Sequence, residues 1–422
     1  MNRVFSFIKI YKELELPIKN AIASEFFIQT VNATFMTILP LYMESENFSN
    51  DEIALFLTFR FLGVFVLAFP LGRYIKGRKL LPLFFLSNIC VPLFGIAIIL
   101  SIAFHLKYLV FITLLLWGAS FTFMQIPIFP FILRNAKKEH HTAAIALSYT
   151  TWSFGGIVSS IVTVLLDFIN PGLFDEKFLL LLFSILGFGG IFYLRRIKNF
   201  TEVMIESEKE THFVPREKSK TDWKLVGKAL VPTLIVATGA GLTIPFISLF
   251  FKEVHSLGKG GFSVLSFFAS LLVAYFALLV PKIKEKIGYK IAIPTTQSLA
   301  VISLIALATT EYYSQYPIAI FIASVCYILR QPLMNMAGPM TSELVLNYVG
   351  KKNREITSAL TSAIWSGSWV LSGIMVTVLF ACQYDFVHVF LITSLLYAFG
   401  IIMYYLLILD YNKREEEGLI EE

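Results

Sequence analysis

The sequence predicts an all-α polytopic membrane protein, with twelve transmembrane helices in two pseudo-symmetric six-helix bundles. Three observations carry this. Of the 422 residues, 56% are hydrophobic and only 15% charged, against roughly 25% charged in an ordinary soluble domain. Apolar runs long enough to cross a bilayer, about 20 residues each, recur twelve times. Finally, one stretch in the first half resembles a stretch in the second.

A cytoplasmic leader, 1–19, is polar and basic, and the apolar run after it is too long for a signal-peptide core, so the first span is expected to be uncleaved. The spans fall at 20–43, 51–72, 80–104, 107–133, 143–168 and 175–194, then 226–251, 262–281, 289–310, 315–339, 356–382 and 386–410. Short breaks such as "ESENFSND" and "INPGLFDEK" carry turn and charge signals. The polar stretch 195–225 reads as a cytoplasmic linker between an N-terminal bundle, 20–194, and a C-terminal bundle, 226–410. A charged tail, 411–422, follows.

Lysine and arginine set the expected orientation. With these spans, 29 of the 35 fall on the side that holds both termini, four on the other side, and two, Arg60 and Arg330, inside spans. Both termini are therefore expected in the cytoplasm, in a plasma or inner membrane. The formal charge of +6 then reports topology and calls for no nucleic-acid partner. Cys90, Cys326 and Cys382 form no CxxC and are expected as buried thiols. His140 and His141 sit in a loop and read as solvated rather than metal-binding.

The halves repeat. "ALSYTTWSFGGIVSS" (146–160) aligns with "ALTSAIWSGSWVLSG" (359–373) at an offset of 213, and "PLGRYIKGRK" from Pro70 aligns with "PKIKEKIGYK" from Pro281 at 211. Near-equal offsets in corresponding places indicate a duplicated six-span unit, one known way to build a transporter.

On these residues the chain resembles the major facilitator superfamily over essentially its whole length. The resemblance implies twelve helices in two halves, a cytoplasmic central loop and a basic gate signature after the second helix. Gly77, Arg78 and Lys79 match the end of that signature, while Pro70 and Tyr74 stand where the family has glycine and aspartate. In the second half the acid survives as Glu285, ahead of Gly288, so the gate-locking role is carried to Glu285 and not to Tyr74. Drug/proton antiporters of the family carry an arginine four residues before a glycine in the fourth helix; here Leu114 precedes Gly118. Their fifth-helix Gly-Pro signature is also absent from "TTWSFGGIVSS".

Charges inside spans cost about 2.5–3.5 kcal/mol or more at a helix centre, so they mark interiors or wet cavities. Glu25, Gln29 and Asn32, at i, i+4 and i+7, share one face of the first span and are expected to form a wet stripe. Glu25 is the candidate for proton coupling, because an isolated carboxylate is cheaper to bury with its proton than without. Arg60 and Arg330 offer donor forks to a carboxylate or phosphate. Gln29, Asn32, Gln125, Tyr149, Trp152, Asn335 and Trp365 complete the candidate substrate-binding set, amphipathic aromatics being suited to the wall of an organic-solute site. Pro127 and Pro130 are expected to break the fourth span, and Pro332 to kink the tenth. "ATGAGLTIP" (237–245) suits close helix packing or a hinge.

The reading is a secondary active transporter of a small organic solute, anionic or amphiphilic, working by alternating access with or without a proton. Multidrug efflux by drug/proton antiport is the alternative within transporters. A non-transporting membrane sensor and an intramembrane enzyme are the alternatives from other classes. No P-loop is present, and no cofactor or metal is expected. The expected partners are the substrate, the lipid bilayer and protons, with the chain acting as a monomer.

Overall fold

The structure, a computed structural model, describes residues 14–75, 78–137, 140–197 and 222–417. The leader up to residue 13, most of the linker and the end of the tail lie outside the described residues. All described secondary structure is helical. Inside a bilayer no water can satisfy backbone N–H and C=O groups, so a chain of this composition closes them within helices.

Two compact units result, one of Met1–Asn47 with Phe59–Val214, the other of Phe48–Thr58 with Pro215–Glu422. The first unit's elements are α1 (Leu16–Thr37), α2 (Leu39–Ser45), α3 (Asn50–Tyr74, whose first turns group with the second unit), α4 (Leu81–Ala103), α5 (Lys107–Gln125), α6 (Ile128–Asn135), α7 (His141–Ile169), α8 (Glu176–Gly187) and α9 (Gly190–Arg195). The second unit holds α10 (Trp223–Thr243), α11 (Ile247–His255), α12 (Lys259–Thr309), α13 (Pro317–Tyr348), α14 (Gly350–Ala381) and α15 (Phe386–Glu416). Among the described residues eleven helices are long and apolar enough to span, or twelve with α1–α2 taken as one span bent by 40°.

Proline sets most of the breaks. Pro40 opens α2 after the bend at Ile38, Pro127 separates α5 from α6 as expected, and Pro245 sits in a 3-10 turn between α10 and α11. Pro332 differs: α13 runs through it and through Pro339 without a break. Within α12, Gly288 departs from helical backbone at φ 66°, ψ 172°, so α12 is two helices joined at that residue. Asp175 and Asp222 cap α8 and α10 by accepting from Phe178 N and Leu225 N, which supplies acceptors for otherwise unmet N–H groups.

The repeat appears in packing within each unit. α1 lies along α7, and α10 lies along α14 and α15. Ser159 and Ser372 are equivalent at the offset of 213 and bind alike. Ser159 Oγ is 2.7 Å from Thr34 Oγ1 on α1, and Ser372 donates to Thr238 O on α10 at 2.6 Å.

Three expectations change here. Cys90 and Cys326 are half-buried and Cys382 is exposed, so none is a fully buried thiol; Cys382 lies past the end of α14, where no neighbour covers it. His140 is not solvated: it is largely buried, and its Nδ1 lies 3.0 Å from Glu15 Oε1. The continuous first span becomes a bent pair.

Candidate functional site

The polar face of α1 is buried against protein. Glu25 is 4% exposed, with Gln29 and Asn32 equally enclosed, so the stripe is not wet. α7 covers it because Gly155 allows the backbones to touch; a Cβ there would lie 2.9 Å from Thr30 N. Ser148 on α7 donates to Glu25 Oε2 at 2.6 Å. Gln29 also hydrogen-bonds the Glu25 carboxylate. Asn32 Nδ2 donates to Gln29 Oε1 at 3.3 Å. Arg60 Nη2, arriving from α3, donates to Asn32 Oδ1. Glu25, Gln29, Asn32 and Arg60 therefore form one continuous line.

Arg60 is 4% exposed. Its guanidinium lies over the Trp117 ring, 4.4 Å from the centroid. Trp117 stacks in turn on Phe35 at 5.5 Å and Phe121 at 5.7 Å. Arg60 reaches this place because α3 and α5 cross backbone to backbone: a Cβ on Gly118 would fall 1.9 Å from Arg60 O. Nη1 has no hydrogen-bond partner, and among the described residues no carboxylate pairs with this guanidinium. The Phe61 ring lies 5.5 Å away as well, and a buried cation held by one amide and two aromatic rings is only partly compensated.

The second unit holds a comparable arginine. Arg330 on α13 is 1% exposed, and its Nη2 donates to Tyr397 OH at 3.3 Å. Its Nε has no partner, and no described carboxylate pairs with it. Tyr327, one turn away on α13, meets Ser266 hydroxyl to hydroxyl at 3.2 Å. Gly239 makes room for Tyr397, since a Cβ there would lie 2.8 Å from the ring. The glycine-rich stretch 237–245 thus serves close packing.

None of the remaining expected residues is seen to hydrogen-bond into either cluster. Gln125, Tyr149, Trp152, Asn335 and Trp365 are exposed. Tyr149 packs on Phe129 at 5.1 Å, and Asn335 donates to Gln331 O at 2.8 Å on its own helix. In the gate signature, Arg78 stacks over Tyr74 at 4.2 Å, and Arg134 donates to the carbonyls of Arg78 and Ile75. Lys79 is exposed. Gly77 and the Glu285 side chain lie outside what the structure describes.

Ser148, Trp117 and Tyr397 were not anticipated. Each is a polar-tipped residue in an apolar run, the one signal available for them. The second unit also holds a cavity of about 460 Å³ lined by Asp51, Glu253, Glu311 and Asp385 among others. It contains none of the expected site residues, and Glu311 is engaged there as an acceptor for Val387 N at 2.5 Å. Among the described residues no three His, Cys, Asp or Glu side chains are grouped to hold a metal.

A family model described as Major Facilitator Superfamily matches residues 21–373. The chain belongs to that superfamily. This superfamily member is a secondary transporter, a multi-pass membrane protein and not an enzyme. Its fold is shared with solved structures at low identity. A D-xylose-proton symporter matches with a TM-score of 0.71 at 13% identity, over 92% of this chain and 95% of that one. A POT family transporter in complex with 5-aminolevulinic acid matches at 0.72 and 14%, over 94% and 96%. The inward-open xylose transporter XylE from E. coli matches at 0.72 and 12%, also over 94% and 96%. No curated protein matches the sequence.

Proposed function

We propose that this superfamily member carries a small organic anion by alternating access, with a proton as the coupling ion. One observation carries the reading: each unit buries an arginine that has an orphan donor and no carboxylate partner among the described residues. A structural arginine at membrane depth is expected to bring its own anion. Among the described residues these two lack one, so a carboxylate or similar group on the solute is the natural complement to their donor forks.

Glu25 is the proton site in this reading. Its partners are a hydroxyl and an amide, not a cation, so ionised it is a costly buried charge and protonated it is a neutral acid. One fold neighbour is a proton symporter, so the architecture accommodates such coupling. The skew of lysine and arginine supports cytoplasmic termini in a plasma or inner membrane. Glu285 with Arg78 and Lys79 would close the cytoplasmic side, and a monomer is the working unit.

The test is thermal unfolding of the purified protein in detergent, at pH 5.5 and 7.5, against anionic, cationic and neutral solutes including benzoate and methanesulfonate. A ligand at 100 times its Kd stabilises by about 2.7 kcal/mol. Anions alone should raise the midpoint, and Arg330→Ala should abolish or weaken that rise. Stabilisation by lipophilic cations instead, unaffected by Arg330→Ala, would reject the anion reading in favour of drug efflux.

A further inference from the structure

The line Glu25–Gln29–Asn32–Arg60 has a direction that its end groups force. A guanidinium can only donate, so Asn32 must present its oxygen to Arg60 and its N–H group onward. Gln29 must then present its oxygen to Asn32 and its N–H group to Glu25. An ionised carboxylate can only accept, so the far end matches. Two of these bonds are seen atom to atom, Arg60 Nη2 to Asn32 Oδ1 and Asn32 Nδ2 to Gln29 Oε1, and the Gln29 side chain, one turn on from Glu25, is the second polar partner of the carboxylate beside Ser148. Every donor points towards Glu25, whose Oε2 also accepts from Ser148.

We propose that this line is a reversible relay by which a proton on Glu25 frees the Arg60 fork for an anion, making the pair a symport device. The inference rests on the reading of Glu25 as proton site and Arg60 as anion site. A proton, taken up when alternating access opens the line to water, adds to the carboxyl oxygen facing Gln29, giving an O–H donor there. Gln29 then turns its amide to offer oxygen to that O–H, and its N–H group to Asn32. Asn32 turns in response and sets N–H against the guanidinium N–H. Two donors face each other, so Arg60 Nη2 leaves Asn32. Nη2 joins the already orphaned Nη1, and together they present the planar fork that binds a carboxylate bidentately. Binding the anion holds Asn32 away from Arg60 and so favours the proton on Glu25, because linkage is reciprocal. No covalent bond other than O–H changes.

Ser148 holds Oε2 in both states, since one oxygen of the acid still accepts. Among the described residues packed around α1, Tyr149 on α7 is the titratable group that interacts electrostatically with Glu25. Cys90 on α4, Arg134 on α6 and Tyr193 on α9 are not among its partners. Glu176 and Lys177, at the start of α8, are not either. Trp117 keeps the guanidinium in place during release, because the stack over its ring does not involve the N–H groups.

The experiment measures affinity for benzoate and for methanesulfonate, both ionised throughout, with the full chain in detergent at pH 5.5 and 7.5. The wild type should bind about tenfold tighter at pH 5.5, the worth of one hydrogen bond to a charged group. Glu25→Gln should bind tightly at both pH values. Gln29→Met, close to glutamine in shape, should bind with no pH dependence, and Asn32→Leu should bind tightly at both. Thermal unfolding of each variant establishes that it is folded, and the two relay variants stand in for each other if one is not. A Gln29→Met and an Asn32→Leu protein that both keep the tenfold response would overturn the relay and leave the anion reading standing. If neither anion binds the wild type, the anion reading falls and the relay with it; if Arg60→Gln binds as the wild type does, the relay falls and the anion reading rests on Arg330. Tighter binding at pH 7.5 would reverse the sign and overturn symport.

Discussion

Ser148 and Glu25, 123 residues apart in sequence, are joined by a 2.6 Å hydrogen bond between two buried side chains. The bond fixes the register of α7 against α1, because the hydroxyl reaches one carboxylate oxygen and Gly155, two turns on, lies against the α1 backbone.

Ser148→Ala removes that donor. Side-chain hydrogen bonds between membrane helices are worth about 0.6 kcal/mol on average, and those to charged groups in water-soluble folds about 1.5–3. The expected loss is therefore about 1 kcal/mol of unfolding free energy, with Ser148→Thr keeping most of it. Equal stability of the alanine and threonine variants would show that the bond contributes nothing.

Gly118→Ala tests the crossing that delivers Arg60. The new Cβ would sit 1.9 Å from Arg60 O, and the reciprocal Gly63 has Leu115 O at 2.0 Å from its ideal Cβ. Backbone on both sides cannot yield without moving a helix, so the variant should lose about 1–3 kcal/mol and weaken anion binding with it. Gly72→Ala on the same α3 is the control: its Cβ meets nothing within 4 Å. That variant should be neutral or up to about 1 kcal/mol more stable, by helix propensity. An unfolding midpoint for Gly118→Ala equal to that of Gly72→Ala would refute the close crossing.

Arg60 and Arg330 were legible because a full charge in an apolar run has few excuses. The helical spacing of Glu25, Gln29 and Asn32 was legible too, but spacing says only that three side chains share a neighbour. It does not say whether that neighbour is water or another helix, and here it is α7. Ser148 was hidden because a hydroxyl in a span can satisfy itself on its own helix, as Thr113 does by donating to Leu109 O. Exposed aromatics such as Tyr149 and Trp152 were drawn into the expected site by their type alone. Pro127 announced its break, whereas Pro40 bent a run that looked continuous because the residues on both sides are equally apolar.

Gly288 differs in kind from Gly118. Its backbone, at φ 66° and ψ 172°, is one that essentially only glycine adopts, while the space around it is open. Gly288→Ala should cost about 1–3 kcal/mol through backbone strain alone. Larger side chains should then cost little more than alanine. An alanine–leucine–valine series read by thermal unfolding checks this; a cost that climbs with volume would mean packing, not backbone, sets the requirement.

Glu15 gives a pH dependence whose sign can be worked out. It lies just ahead of the first span and accepts from Lys137 N at 3.1 Å and pairs with His140 Nδ1 at 3.0 Å. Burial alone would push its carboxyl up, but bonds from its own backbone N–H, from Lys137 N and from His140, with the His140 charge, outweigh it and hold the carboxyl below its usual range. A carboxyl depressed in the folded state stabilises the fold above its unfolded-state value, and that contribution fades as pH falls through the folded-state value. The wild type should therefore be more stable than Glu15→Gln at neutral pH, and the two unfolding curves should converge as pH drops below the ordinary carboxylate range. A gap between them that stays constant down to acidic pH would show that Glu15 acts through packing and not through its charge.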